Sequence, residues 1–428
     1  MFTSEEVSTL LEEKRRLSES HAKRAKELHE DIRRVAAGTL ILAFTCSASA
    51  RAQTRADEVA TQQEEKARHL EAYRPNKAEV FLDQVEHGKW ILGTPRGWYS
   101  ALGSVYPGSG FALGGGYRHY IGYDSFVDSG ILYSALGYKK FQVMGYTPNH
   151  VKGRVDLEGS VVWLDATQVA FYGLGNASQL ESRANFRINR TYVEGAAVAR
   201  PAKWLRLRLD GGLDDYTQKR GKGDSPSIEE VFSPETAPLL DDNPLYVRGE
   251  ASATVYWLES PGYSRTGGLY RVAYEEFNPL RGSGGTFGFL RTEVVQHVPI
   301  LRETWALSLR AGTESIVRKS DVVPYFLMPT LGSGDTLRGY ANQRFRDRHS
   351  LLLSSELRWF PNRLGLDMAL FVDAGKVAPF RNGLTLHDMK TDYGIGVRFH
   401  TPIATPLRVD LARGQEGVQL VVAAGATF

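Results

Sequence analysis

The chain has 428 residues, a formal net charge of +3 and 24% charged residues. Its cations are spread along the chain without a basic domain or zinc-finger spacing, so nucleic acid is not an expected partner. The single cysteine, Cys46, cannot form an internal disulfide. No apolar run reaches the roughly 20 residues of a membrane-spanning helix, but a transmembrane β-barrel hides its apolar residues in alternate positions.

The N-terminal region predicts export. Arg33 and Arg34 precede the apolar stretch VAAGTLILAFTC, and SASARAQ follows it, which is the order of parts in a secretory signal peptide. We expect cleavage after Ala52, with Ala50 as the alternative, and interpret residues 1–52 as an N-terminal extension and signal peptide. A buried helix is the competing interpretation of the apolar stretch.

The charged segment upstream of the signal, residues 1–32, has no evident structural role and suggests a start codon assigned too early. After the cleavage site, the run DEVATQQEEKARHLEAY at 57–73 has helical composition and few helix breakers. We therefore expect residues 53–96 to form a short periplasmic helical lead.

From about Gly97 to the C-terminus, short runs alternate apolar and polar residues between turn-forming residues. In LRLRLD, leucines occupy one face of a strand, and Arg206, Arg208 and Asp210 occupy the other. A soluble β-sandwich is the competing explanation, but no consistently apolar partner layer is present. The pattern predicts an all-β fold, a transmembrane antiparallel β-barrel of about 16 strands over residues 97–428, preceded by the short helical segment.

Aromatic residues and connections fit the same prediction. Tryptophans are expected at strand ends, where a membrane interface favours them: Trp98, Trp163, Trp204, Trp257, Trp305 and Trp359. The longest connection is expected from Asp214 to Asn243, as an extracellular loop. Its acids, including Glu229, Glu230, Asp241 and Asp242, are expected to be solvated, and a divalent-ion site is the alternative.

The closing run GVQLVVAAGATF predicts a final strand that ends on an aromatic residue. Phe428 is expected in register with Val418, Leu420 and Val422 on one face. A terminal aromatic residue of this kind is the C-terminal signal that outer-membrane barrels offer to their assembly machinery.

One loop, GSGDTLRGYANQRFRDR at Gly332–Arg348, combines three glycines with four arginines. Glycine allows tight turns, and a guanidinium is a permanent cation whose planar fork suits a carboxylate. A solvated basic loop is the alternative. If the loop folds into the barrel, however, Arg338 needs an acidic partner, and Glu356 and Asp373 on the following strands are the candidates.

The segments TLRGYANQRFRDR, ELRW, FVDAG, YGIGVRF and TPLRVDLA together resemble the bacterial surface antigen barrel of the BamA/TamA outer-membrane superfamily. That superfamily includes barrel-assembly factors and two-partner secretion transporters. The similarity is most specific over Pro329 to Phe428, and FYGLGN and SGGLYRV extend it across most of the mature chain.

The resemblance implies a loop lock. In this family an [LV]-R-G-[FY] motif folds back into the lumen, where its arginine meets the aspartate of an F-x-D-x-G strand. By position, the loop motif is matched by Arg338, Gly339 and Tyr340. The strand motif is matched by Phe371, Asp373 and Gly375, and Glu356 is expected as a second partner.

The resemblance also implies a bacterial outer-membrane location and, as partners, membrane lipids, lipopolysaccharide and client outer-membrane or secreted proteins. The segment between Ala52 and Gly97 is too short for a POTRA domain, so a barrel-only member is expected. The function implied is insertion of proteins or lipids through a lateral seam. A passive pore or dedicated protein-secretion transporter is the alternative.

An enzyme is not expected. No G-x-S-x-G nucleophile motif and no H-E-x-x-H metal motif occurs, so no catalytic residue, metal ligand or cofactor is assigned. An outer-membrane hydrolase with a dispersed site remains a third hypothesis.

Overall fold

A computed structural model describes residues 96–259, 264–300, 304–317, 322–360, 365–401, 404–423, 425 and 427–428. The predicted signal peptide (1–52) and periplasmic lead (53–96) lie outside these residues, except for residue 96. In the described part of the chain, no helix is both long and apolar enough to cross a membrane.

Sixteen antiparallel strands form one sheet in chain order, which confirms the predicted all-β barrel class and strand number. The strands are β1 (Gly97–Gly103), β2 (Ala112–Ile121), β3 (Ser125–Ser134), β4 (Lys139–Asn149), β5 (Val155–Phe171), β6 (Ala184–Ala202), β7 (Leu205–Arg220), β8 (Leu245–Tyr256), β9 (Gly267–Arg281), β10 (Phe287–Ile300), β11 (Trp305–Ile316), β14 (His349–Trp359), β15 (Leu366–Ala378), β16 (Lys390–Thr401), β17 (Ala404–Gly414) and β18 (Gly417–Ala423).

The remaining elements are short. β12 (Thr330–Leu331) and β13 (Phe345–Arg346) pair with each other inside the connection between β11 and β14. Two single helical turns, α1 (His150–Gly153) and α2 (Ile228–Val231), and two 3₁₀ turns, Tyr325–Leu327 and Arg381–Gly383, lie in other connections.

Alternation along the strands separates an outward face from an inward face. On β7, Leu209 is 65% exposed, whereas its neighbour Asp210 is 6% exposed. Successive side chains of a strand point to opposite faces, so the apolar residues face outward, where a membrane surrounds the barrel, and the charged residues face the lumen. The period-2 pattern in the sequence therefore identified the two faces correctly.

Long connections collect at one end of the strands. Residues 172–183, 221–244, 317–348 and 379–389 join strands at that end, while 122–124, 203–204 and 402–403 are among the short connections at the other. Because outer-membrane barrels have longer extracellular loops, the first end is the extracellular one.

The expected bounds of the longest loop are wrong. β7 continues to Arg220, so that connection covers 221–244, and the connection 317–348 is longer. The strand continues because Asp214 and Tyr216 share its buried face: Asp214 accepts hydrogen bonds from Arg190 of the neighbouring strand and from Tyr216.

The expected tryptophan positions are only partly right. Trp98, Trp204, Trp257, Trp305 and Trp359 lie at or beside strand ends, and Trp305 stacks on Trp359 with ring centroids 5.7 Å apart. Trp163, by contrast, lies in the middle of β5. It lies in mid-strand because β5 extends well past the length needed to cross the membrane.

The extracellular half of the barrel contains an aromatic core. The ring of Tyr325, from the connection 317–348, lies 5.1 Å from Phe171 and 5.0 Å from Phe186, with edge-to-face geometry. Tyr246, Phe287 and other inward-facing rings extend the cluster. Buried aromatic surface contributes strongly to stability, so this core attaches the extracellular connections to the inner wall.

Candidate functional site

The loop of Gly332–Arg348 folds as a hairpin whose neck is the β12–β13 pair. Gly332 has a φ of +100°, a backbone conformation that glycine adopts without steric cost. Its carbonyl accepts a 2.6 Å hydrogen bond from the backbone N–H of Gln343. At the tip, the N–H of Tyr340 donates to the carbonyl of Leu337 at 3.2 Å, which forms the turn that carries the R-G-Y motif.

An apolar cluster holds the hairpin against the barrel wall. It consists of buried side chains of the loop and of the strands β14 and β15: Leu331, Leu337, Tyr340, Phe345, Leu352 and Val377. Burial of these side chains removes the loop from water and brings Arg338, which lies between Leu337 and Gly339, to the inner surface of β14–β16.

Arg338 is fully buried and binds two carboxylates. Its Nε and Nη2 donate to Asp373 at 2.7 and 3.0 Å, and its Nη1 donates to Glu356 at 2.8 Å. The guanidinium also lies over the ring of Phe371, with its central carbon 3.4 Å from the ring centroid. The structure thus brings Arg338, Asp373, Glu356 and Phe371 into one contact set.

Two further arginines complete the charges around Glu356. Arg358 donates to Oε1 of Glu356 at 2.8 Å, and Arg398 donates to Oε2 at the same distance. Nη1 of Arg398 lies 2.9 Å from a carboxylate oxygen of Asp410, whose other oxygen lies 3.6 Å from Arg338. A buried ion needs such compensation, because desolvation is costly for each charge.

Arg408 connects this network to the base of the hairpin. It is fully buried, and its Nη2 donates to the backbone carbonyl of Gly334 and to the carboxylate of Asp335, both at 2.9 Å. A further donation reaches Thr427 near the C-terminus. The hairpin is therefore attached to the inner wall at two places, by Arg338 at its tip and by Arg408 near residues 334–335.

The protonation state of Arg338 follows from these neighbours. Burial disfavours the charged guanidinium, but the hydrogen bonds and charges of Asp373 and Glu356 hold the pKa of Arg338 above its usual value. The cation is permanent at any pH at which the barrel is folded, so the lock does not depend on titration of Arg338.

Two motif glycines permit the close approach of the loop. A Cβ atom at Gly339 would lie 2.5 Å from Cβ of Asp392 and 2.6 Å from the backbone nitrogen of Gly414. At Gly375 an added Cβ would meet Leu331 at 2.8 Å. These distances are shorter than real Cβ contacts. Gly339 is required for the observed packing because its Cβ would meet backbone atoms, whereas at Gly375 the atom met is the end of the Leu331 side chain, which would have to turn aside.

Tyr340 anchors the tip to the neighbouring strands. Its hydroxyl donates to the carbonyl of Thr391 at 3.2 Å, and the N–H of Gln415 donates to it at 3.5 Å. Its ring packs on Phe345 with edge-to-face geometry and centroids 5.2 Å apart.

Sequence reasoning missed several members of the network. Arg358, Arg398, Arg408 and Asp410 were not assigned to the site. The spacing of two between Glu356 and Arg358, and between Arg408 and Asp410, was the available signal, because it places each pair on one face of its strand. Their height in the barrel depends on the registers of neighbouring strands, such as Arg398 opposite Arg408.

The expectation for Phe428 is wrong in one respect. Val418, Leu420 and Val422 face outward and are 55%, 66% and 60% exposed, but Phe428 lies beyond the end of β18 on the inner side. Its ring is parallel to the buried His297, with centroids 6.4 Å apart, and lies below the guanidinium of Arg358 at 5.6 Å. Phe428 therefore does not share the outward face of Val418, Leu420 and Val422.

No group of three or more His, Cys, Asp or Glu side chains with a geometry suited to a metal ion occurs among the residues that the structure describes. The chemistry of the site is that of fixed ion pairs and close packing: it holds a loop in place.

The part of the chain that contains the Arg338 network also matches a known protein family. Residues 246–423, which contain Arg338, Glu356 and Asp373, match the family model described as Omp85 superfamily domain. Among solved structures, the chain is similar to the crystal structure of BamA from Haemophilus ducreyi lacking POTRA domains 1–3, with a TM-score of 0.59 and 14% identity over 77% of this chain and 70% of that chain. This likeness shows the shared barrel fold. No curated protein sequence matches the chain.

Proposed function

We propose that this chain, a bacterial outer-membrane β-barrel that carries an Omp85 superfamily domain, assists the insertion or assembly of proteins in the outer membrane. The proposed route is a lateral seam between the first and last strands of the sheet. Client outer-membrane proteins are the proposed partners, and lipids and lipopolysaccharide of the membrane around the seam would be displaced or admitted there.

The observation that carries this proposal is that the two edge strands of the sheet, β1 and β18, are short and, in the part of the chain that the structure describes, are not paired with each other. β1 and β18 have 7 residues each, whereas β6 has 19. Each pairs with its neighbour in sequence, and within the described residues no ladder joins β1 to β18. A strand edge with unpaired N–H and C=O groups accepts an added strand, so these edges are suited to receive a client strand.

The Arg338 network supports the proposal because of its position. It joins the hairpin to β14–β17, the wall that leads directly to β18. We propose that it acts as a lock that keeps this wall in register while the neighbouring seam opens. Buried ion pairs are better suited to fixing a unique arrangement than to adding net stability.

A passive pore is less well supported. The lumen contains the hairpin and its ion pairs beside β14–β17, and the aromatic core around Tyr325 occupies the extracellular half. Both features fill space that a solute would need.

A disulfide across the seam tests the proposal. In a Cys46→Ser background, Ser100→Cys on the outward face of β1 is combined in turn with Val418→Cys, Leu420→Cys or Val422→Cys on β18. The control pair, Ser355→Cys with Val372→Cys, joins outward-facing partners in the closed ladder of β14 and β15.

The measurement is the amount of folded, heat-modifiable outer-membrane protein in cells that depend on each variant. The expected result is that a seam disulfide lowers this amount, that reductant restores it, and that the control pair has no effect. Normal assembly with a fully oxidised seam pair would overturn the proposal. Loss of one secreted protein with normal barrel assembly would favour the dedicated transporter.

A further inference from the structure

The outward face of β4–β7 changes from apolar to charged at a defined height. On β5 the outward positions run from Val155 to Trp163, which is 9 residues, and the next outward side chain is Asp165. A transmembrane strand needs about 9–11 residues to cross the hydrocarbon. Asp165 and its neighbours on adjacent strands therefore lie at the level of the outer-leaflet headgroups.

Three cations lie on this face around Asp165. Lys139 of β4 is the register partner of Asp165, and Arg187 of β6 is the register partner of Lys219 of β7. Lys139 and Lys219 are exposed. Just below, on the same face of β7, Asp215 is neutralised by an ion pair with Arg281 of β9.

Asp165 is fully engaged within this group. Its two carboxylate oxygens accept from Nε and Nη2 of Arg187, both at 2.7 Å. The amide of Asn189, in the orientation that satisfies its neighbours, donates to Asp165 at 2.8 Å and accepts from Nζ of Lys219 at 3.2 Å. Asp165 is 2% exposed, and its charge is neutralised by Arg187. Lys139 and Lys219 therefore leave this face with excess positive charge.

The two lysines are the cations of the group that have no carboxylate partner. In the described part of the chain, neither Lys139 nor Lys219 has a carboxylate within 4.0 Å. The amine of Lys139 lies 6.0 Å from the ring centroid of Tyr133, at the edge of the apolar band. An ammonium at a membrane interface with no protein anion to neutralise it is suited to an anionic headgroup.

We propose that Lys139, Arg187, Asn189 and Lys219 form a binding site for the phosphate groups of an anionic glycolipid in the outer leaflet. The apolar residues immediately below, Phe141, Val161, Trp163 and Val193, would contact its acyl chains. Lys139 and Lys219 lie on strands that are three strand spacings apart, roughly 14 Å, so one headgroup that carries two phosphates can reach both. This site lies on the outer wall, away from the hairpin lock and from the β1–β18 seam.

Native mass spectrometry of the purified full-length barrel in detergent tests the site, with diphosphoryl lipid A as the probe. The variant Lys139→Ser with Lys219→Ser is expected to bind about tenfold more weakly than the wild type. The charge-conserving pair Lys139→Arg with Lys219→Arg is expected to retain binding. Arg413→Ser, which removes an exposed outward cation of β17, is the matched control and is expected to bind normally.

Three results would overturn the proposal. The first is unchanged lipid A binding by the double serine variant, with its heat-modifiability showing that it is folded. The second is equal binding of a zwitterionic phosphatidylcholine, because the site would then recognise acyl chains alone. The third is equal occupancy by inorganic phosphate, because the site would then be one for free phosphate and not for a lipid.

Discussion

Arg338 lies over the ring of Phe371, with its guanidinium carbon 3.4 Å from the ring centroid, and its nitrogens bind the carboxylate of Asp373 two residues farther along the same strand. Phe371 and Asp373 share a face of β15 because they are two positions apart. One strand therefore supplies both the aromatic surface and the anion that receive the loop arginine. The F-x-D spacing is therefore explained by the need to place both contacts of Arg338 on one face of β15.

Arg338→Met is expected to lower the free energy of unfolding by about 3–5 kcal/mol, because it leaves Glu356 and Asp373 buried without their shared cation. Arg338→Lys is also expected to destabilise, since one amine cannot reproduce the planar fork and the stacking on Phe371. Urea unfolding in detergent and trypsin cleavage of the loop measure both effects. Arg206→Met, which changes an exposed arginine, is the control; wild-type stability of Arg338→Met would contradict the assigned network.

Gly339→Ala is expected to release the tip of the hairpin. The added methyl group would press on Cβ of Asp392 and on the backbone of Gly414, neither of which can move without displacing β16 or β17. We expect faster proteolysis within residues 332–348. Gly145→Ala is the matched control, because nothing lies within 4 Å of its added Cβ, and equal proteolysis of the two variants would show that the close approach is unimportant.

Tyr340 offers a test that separates packing from hydrogen bonding. Tyr340→Phe removes only the hydroxyl contacts with Thr391 and Gln415, and a loss of about 0.5–1.5 kcal/mol is expected. Tyr340→Ala also removes the buried ring, for which about 3–5 kcal/mol is expected by analogy with other aromatic truncations. If the two variants lose the same stability in urea, the ring does not contribute to holding the loop.

Arg346 is expected to respond differently from Arg338 to the same substitution. It is buried, its Nη1 donates to the carbonyl of Tyr325, and it also contacts Gln343. Among the described residues, no carboxylate lies within 4.0 Å of it, and burial lowers the pKa of its guanidinium.

For Arg346→Met we expect a change within about 1 kcal/mol, because removal of an uncompensated buried cation offsets the lost hydrogen bonds. The same urea titration measures it. A loss as large as that of Arg338→Met would mean that an anionic group neutralises Arg346 in the folded barrel.

The faces of the strands and the motif contacts were predictable because both depend on local rules. Alternation with a period of two identified the lumenal side of Asp210 and of Glu356. The resemblance in the R-G-Y and F-x-D-x-G segments paired Arg338 with Asp373. Neither required knowledge of how distant strands are aligned.

What could not be predicted depends on register and on strand length. Arg398 and Asp410 meet because β16 and β17 are aligned with Gly396 opposite Asp410, which no sequence spacing reveals. Trp163 was misplaced because β5 continues far past the membrane. Phe428 was misplaced because it lies beyond the last residue of β18, against the parallel ring of His297 and the guanidinium of Arg358.

The most direct test of the proposed function is depletion of this protein in its native host, with quantification of heat-modifiable outer-membrane barrels and of the secreted proteome in the same cells. The assembly proposal predicts that many folded barrels decrease together, and that wild-type protein restores them while an oxidised seam pair, such as Ser100→Cys with Leu420→Cys, does not. Unchanged barrel levels with the loss of a single exported protein or solute flux would contradict it.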